Sequence, residues 1–202
     1  MGPTDLTMYS NGEQIKMHKY LLYLKSPFFR GIFDLDGWEV GCARATIEKL
    51  RSADLPSQTR APTNHFMMYD NPDELRIVKH WLYTSEWSEE YSGQYPMDLA
   101  VKVYVLADKW GLDTLRAQVP ERLIMLFGCA AHNKIPDFIA TVRAAEKCSS
   151  ASQQTLWEVV LEIFRSNALV LLRDRYIIDL VGDMPVLRVD LEAMGLLGPI
   201  AV

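Results

Sequence analysis

Cysteine is scarce in this chain of 202 residues: Cys42, Cys129 and Cys148 form an odd, scattered set. They make no disulfide framework and fit a reducing, intracellular setting, cytoplasmic or nuclear, better than an oxidising one. Long apolar runs are also lacking. The longest, Val159 to Leu172, is broken by Glu162 and Arg165, so no membrane span is expected. The first residues, Met-Gly-Pro-Thr-Asp, hold no apolar leader core, and Leu6 stands where a myristoylation pattern needs Ser or Thr. Excess positive charge is missing as well. Lys and Arg total 21 against 26 Asp and Glu, a net charge of −5, and no basic run offsets it, so nucleic acid is not an expected partner.

The signatures of common chemistries are absent too. There is no Gly-rich phosphate loop, nucleophile elbow or HExxH pair. Cys129-x-x-His132 has ligand-like spacing, but a second pair of ligands is not evident, so no metal is expected. The carboxylate pairs Asp34/Asp36 and Glu89/Glu90 read as solvated loop charges. The expectation is a chain with no catalytic residues and no cofactor. With 49% hydrophobic and 23% charged residues it can still bury a sizeable core.

The clearest local signal is Asn11-Gly12 between two alternating segments, Asp5 to Ser10 and Glu13 to His18. Asn-Gly is the preferred two-residue type I′ turn, because both central residues need positive φ. A two-residue turn fixes every pair: Ser10 with Glu13, Met8 with Ile15, Leu6 with Met17. Leu6, Met8, Ile15 and Met17 then share one face. On the other face Thr7 meets Lys16 and Asp5 meets His18. That last pair reads as a structural hydrogen bond, with an acid–base dyad as the sharper alternative.

Residues 18 to 25 read as a short helix ending at Ser26-Pro27, where Ser26 caps a second helix beginning at Pro27. Phe28/Ile32 and Phe29/Phe33 lie at i,i+4 spacing on that helix and read as core. Asn64 to Asp70 and Ala45 to Leu50 are candidate strands, separated by a Ser/Pro/Thr-rich loop at 51–63. Asn71-Pro72-Asp73-Glu74 opens a helix with cap, first-turn proline and acidic dipole partners, and Leu75, Val78 and Leu82 form its buried face. Ser85 to Pro96 is an acidic loop whose Trp87, Tyr91 and Tyr95 either pack back on the core or contact a partner. Met97 to Trp110 is apolar almost all round, which marks a buried helix ended by Gly111. Asp113 begins another, which Pro120 is expected to interrupt. Three or four helices are expected from Ile135 onward, with Pro136 and Pro185 near two starts and Gly182 and Gly195 near two ends.

Asp5-Leu6-Thr7-Met8, His18-Lys19-x-x-Leu22 and Ser26-Pro27-Phe28-Phe29 resemble the first half of the BTB/POZ domain. Trp81-Leu82-Tyr83-Thr84 and the segment Val103 to Leu112 resemble its second half, in the variety common in filamentous fungi. The resemblance covers about residues 5–127. It implies an α+β fold, a short mixed sheet with an N-terminal hairpin and a helical cluster, with an insertion loop at about 51–63. Residues 135–202 are then an all-α C-terminal extension, with Asp179-Leu180, Met184-Pro185 and Asp190-Leu191 as a weaker match to the helices that follow such domains. The resemblance also implies that Asp5, His18 and Lys19 are structural residues near a self-association surface.

The function so implied is non-catalytic protein–protein interaction: self-association, pairing with a heteromeric BTB partner, or recruitment of a cullin scaffold as a ubiquitin-ligase adaptor. The cullin role calls for a hydrophobic-x-Glu motif, and Trp38-Glu39 lacks the intervening residue. Tyr20, Tyr23, Leu24, Phe28, Trp38, Glu39 and Trp87 are the candidate partner-binding residues. The helix with Tyr20, Leu21, Leu22, Tyr23 and Leu24 in succession is apolar on every side, so one face packs on the chain's own core and the rest is left for another molecule. In the competing account the C-terminal helices fold back over that surface and leave a monomer. The competing classes are an enzyme or ligand binder with a site assembled from scattered residues, and a regulatory subunit of a transcriptional complex.

Overall fold

The computed structural model describes residues 4–34, 65–68, 70–87, 96–128, 134–148 and 150–198. The chain forms two compact units, one from Met1–Ser88 with Leu106–Leu115 and one from Glu89–Val105 with Arg116–Val202. The sequence-based boundaries at 127 and 135 both fall inside the second. The candidate strand at Ala45–Leu50, the loop at 51–63, and Trp38 and Glu39 lie outside the described residues.

In the first unit, β1 (Leu6–Ser10) and β2 (Glu13–Met17) form the hairpin with the register the turn dictates, Leu6 opposite Met17 through Ser10 opposite Glu13. Asn11 and Gly12 both have positive φ, +48° and +84°, as a type I′ turn needs. Leu6, Met8, Ile15 and Met17 are all buried on one face. β3 (His65–Met68) pairs parallel to β1, Met8 opposite Phe66, which completes a three-stranded mixed sheet in the order β2-β1-β3. A parallel return needs a crossover, and α1 (Lys19–Lys25) and α2 (Pro27–Asp34) lie in that connection. The described residues thus form a mostly helical α+β chain.

Helix α3 (Pro72–Thr84) starts as its sequence dictates. Asn71 Oδ1 accepts from the Asp73 N–H at 3.0 Å and Pro72 occupies the first turn. Leu75, Val78, Trp81 and Leu82 are buried. Helix α4 (Met97–Trp110) ends in a double cap around Gly111, whose φ is +67°. Leu112 N–H bonds the Ala107 carbonyl at 2.8 Å and Gly111 N–H bonds that of Asp108 at 3.1 Å, which satisfies carbonyls the helix leaves open.

That helix end meets the Ser26-Pro27 junction. Ser26 Oγ donates to the Trp110 carbonyl at 2.6 Å and accepts from Phe29 N–H at 3.2 Å. A Cβ on Gly111 would stand 3.1 Å from Pro27 Cδ, so a side chain there would crowd the joint. Phe29 lies edge-on to Trp110 and Phe66, with ring centroids 4.9 and 5.8 Å away. The aromatic stripe of α2 is therefore core at Phe29 and half-buried at Phe28.

Pro120 does not interrupt its helix: α5 runs unbroken from Asp113 to Gly128. Proline removes one backbone bond at a cost of about 3 kcal/mol. Leu115, Val119, Leu123 and Phe127, each four residues after the last, form a fully buried stripe through that position. Burying such side chains contributes roughly 1.5–3 kcal/mol each, which outweighs the defect.

Four further helices follow in the second unit: α6 (Ile135–Glu146), α7 (Ser150–Leu171), α8 (Arg175–Asp183) and α9 (Pro185–Ala193). Phe138 joins α5 to α7, its ring centroid 4.8 Å from Phe127 and 5.3 Å from Phe164. Asp174 caps α8 by accepting from the N–H groups of Tyr176 and Ile177. Asn167 leaves helical geometry inside α7 (φ −127°, ψ 20°), which bends that helix. Trp157 Nε1 donates to Asp190 Oδ2 at 2.7 Å, tying α7 to α9. No helix among the described residues is long and apolar enough to cross a membrane.

Candidate functional site

Helix α1 has seven residues, too few to hold its shape in water unaided. Its sequence, Lys-Tyr-Leu-Leu-Tyr-Leu-Lys, offers apolar groups in every direction, and the fold uses one of them. Leu22 is fully buried. Leu21 and Tyr23 are half-buried. Tyr20 and Leu24, four positions apart and so on one stripe, point outward with 67% and 48% of their surface exposed.

Groups from elsewhere in the chain satisfy the backbone at both ends of α1. At the N-terminal end, His18 has no side-chain capping bond and the first turn holds no acidic residue. Asp5 fills that role from just before β1, its Oδ1 accepting from Lys19 N–H at 2.7 Å. A carboxylate at this position also complements the positive end of the helix dipole. The Tyr83 hydroxyl oxygen accepts from the His18 N–H at 3.1 Å, and His18 Nδ1 lies 2.6 Å from the same oxygen. Burial pushes the Tyr83 hydroxyl above its ordinary pKa; the bond from His18 N–H opposes this and the Asp5 charge adds to it.

At the C-terminal end, Arg30 of α2 reaches back to two open carbonyls. Its Nε donates to Tyr23 O at 3.3 Å and its Nη2 to Leu24 O at 3.1 Å, with the guanidinium 5.8 Å from the Tyr23 ring centroid. Lys25, the basic residue of α1's own last turn, turns to α3 instead. Its Nζ donates to Ser85 Oγ at 2.8 Å and sits 4.9 Å from the Trp81 ring centroid, and burial lowers its pKa. Lys19 lies with its Nζ 4.6 Å from the Phe33 ring centroid.

The structure thus gathers Asp5, His18 and Lys19 at one end of α1 and places Tyr20 and Leu24 on its outer face. Tyr23 and Phe28 are half-buried beside them. Trp87 is a correction to the partner-binding set: only 6% exposed, it packs into the chain's own structure. Tyr91 and Tyr95 lie outside the described residues. Sequence reasoning missed Tyr83, Arg30 and Ser85. Tyr83 and Ser85 meet α1 across about sixty residues of chain, and no local pattern reports that; Arg30 had a signal, a lone cation one turn past a helix end.

Among the described residues no group of three or more His, Cys, Asp and Glu side chains could hold a metal ion. No family model and no curated protein matches this chain.

Proposed function

We propose that this chain is a non-catalytic protein-interaction domain of the BTB/POZ type, which associates with a second copy of itself through the outer face of α1. The observation that carries the reading is the pair Tyr20 and Leu24, turned outward on a backbone fastened at both ends. Single exposed apolar residues are ordinary. An aromatic and an aliphatic anchor on one stripe of a pre-organised helix are less so, because little conformational freedom is left to lose on docking. The residues that carry the family resemblance, Asp5, His18, Lys19, Ser26 and Pro27, are the ones that build this end of the unit, which supports the reading.

The test is light scattering on the purified chain and on a Tyr20→Glu/Leu24→Glu variant. The reading expects a dimer for the parent and a monomer for the variant. Thermal stability should be nearly unchanged when both are compared at a concentration too low for the parent to associate, since both side chains are exposed in the monomer. A monomeric parent, or a variant that still dimerises, would refute it.

A further inference from the structure

We infer that Arg30 is a positioning residue for the α1 docking face, acting through the backbone of α1 rather than by contact with the partner; this rests on the reading above. A helix leaves its last carbonyls without intrahelical partners, and a seven-residue helix has few other bonds to keep its final turn closed. The cap residue Ser26 returns one bond, its N–H to Leu22 O at 2.9 Å. The next two carbonyls, Tyr23 and Leu24, are both taken by the Arg30 guanidinium. Lys25 is engaged with Ser85 and the Trp81 ring. Leu24, whose carbonyl Arg30 holds, is itself one of the two outward anchors.

The planar fork of arginine suits this bridge, since two N–H groups at fixed spacing reach two successive carbonyls while the positive charge faces the negative end of the helix dipole. Arg30 is exposed and lies on α2, so removing its head group leaves the sheet and the Phe29–Trp110 joint untouched.

The experiment compares the parent with Arg30→Met, which keeps most of the stem and removes the donors. Self-association is followed by sedimentation velocity across a concentration series, and amide hydrogen exchange is read by segment. Dimer affinity should fall about tenfold, the weight of one net hydrogen bond to a charged group. Exchange should accelerate at residues 21–25 while the amides of β1, β2 and α3 keep their protection. Unchanged affinity in a variant of a dimerising parent overturns the inference and leaves the proposed function standing. Accelerated exchange throughout the unit also overturns it, because Arg30 would then act on the fold as a whole. A parent that never dimerises instead sinks the proposed function itself.

Discussion

Ser26→Ala removes one oxygen with two tasks in the joint between α2 and the end of α4. Ser26 is fully buried, donates to the Trp110 carbonyl and accepts from the Phe29 N–H. Losing the cap on α2 costs about 1 kcal/mol, within the usual range for Ser→Ala at such a position. The variant also deprives the Trp110 carbonyl of its Ser26 bond, and a buried acceptor left unpaired costs about 1–3 kcal/mol. The two effects together predict a loss of about 2–4 kcal/mol. Pro27 holds its φ regardless, and the Phe29–Trp110 edge contact survives, so the fold should persist in weakened form. Urea unfolding followed by tryptophan fluorescence reads this directly. With a slope of about 2 kcal/mol per molar, the midpoint falls by about 1–2 M. A shift below about 0.3 M would mean that neither bond matters, and the account of the joint would be wrong.

Gly12→Val should destabilise the hairpin by about 1–2 kcal/mol, because Gly12 has φ +84° and a β-branched residue resists the left-handed region; an unchanged melting temperature would contradict the turn type. The Tyr83 hydroxyl, held above its ordinary value mainly by burial, contributes stability that is fully present below about pH 10 and lost as pH rises through its folded value. Tyr83→Phe should therefore flatten the alkaline loss of stability measured by denaturant titration between about pH 9 and 11. Lys25, shifted the other way, acts in both proteins and cancels in the comparison. Parallel alkaline slopes in parent and variant would contradict this.

What could be read from the sequence follows the range of the forces involved. The hairpin register was legible because a two-residue turn fixes each later pair, and Ser26-Pro27 and Asn71-Pro72 were legible because capping is a local hydrogen-bonding problem. The parallel pairing of β1 with β3 was not, since nothing near either strand encodes a partner more than fifty residues away. Pro120 misled for the opposite reason. Its local rule is sound, but a buried stripe from Leu115 to Phe127 overrides it. The α1 face was half legible. Its succession of apolar residues announced a surplus, whereas the choice of Tyr20 and Leu24 as the outward pair depends on how Asp5, Tyr83 and Arg30 hold the helix.

The claim that α1 is where the chain meets its partner is tested most directly by amide hydrogen exchange on the parent protein, well below and well above its association midpoint. The account predicts that protection gained on association is concentrated in residues 18–30, with β3 and the helices α6 to α9 unchanged. Gained protection that falls elsewhere, or exchange that does not depend on concentration at all, would contradict it.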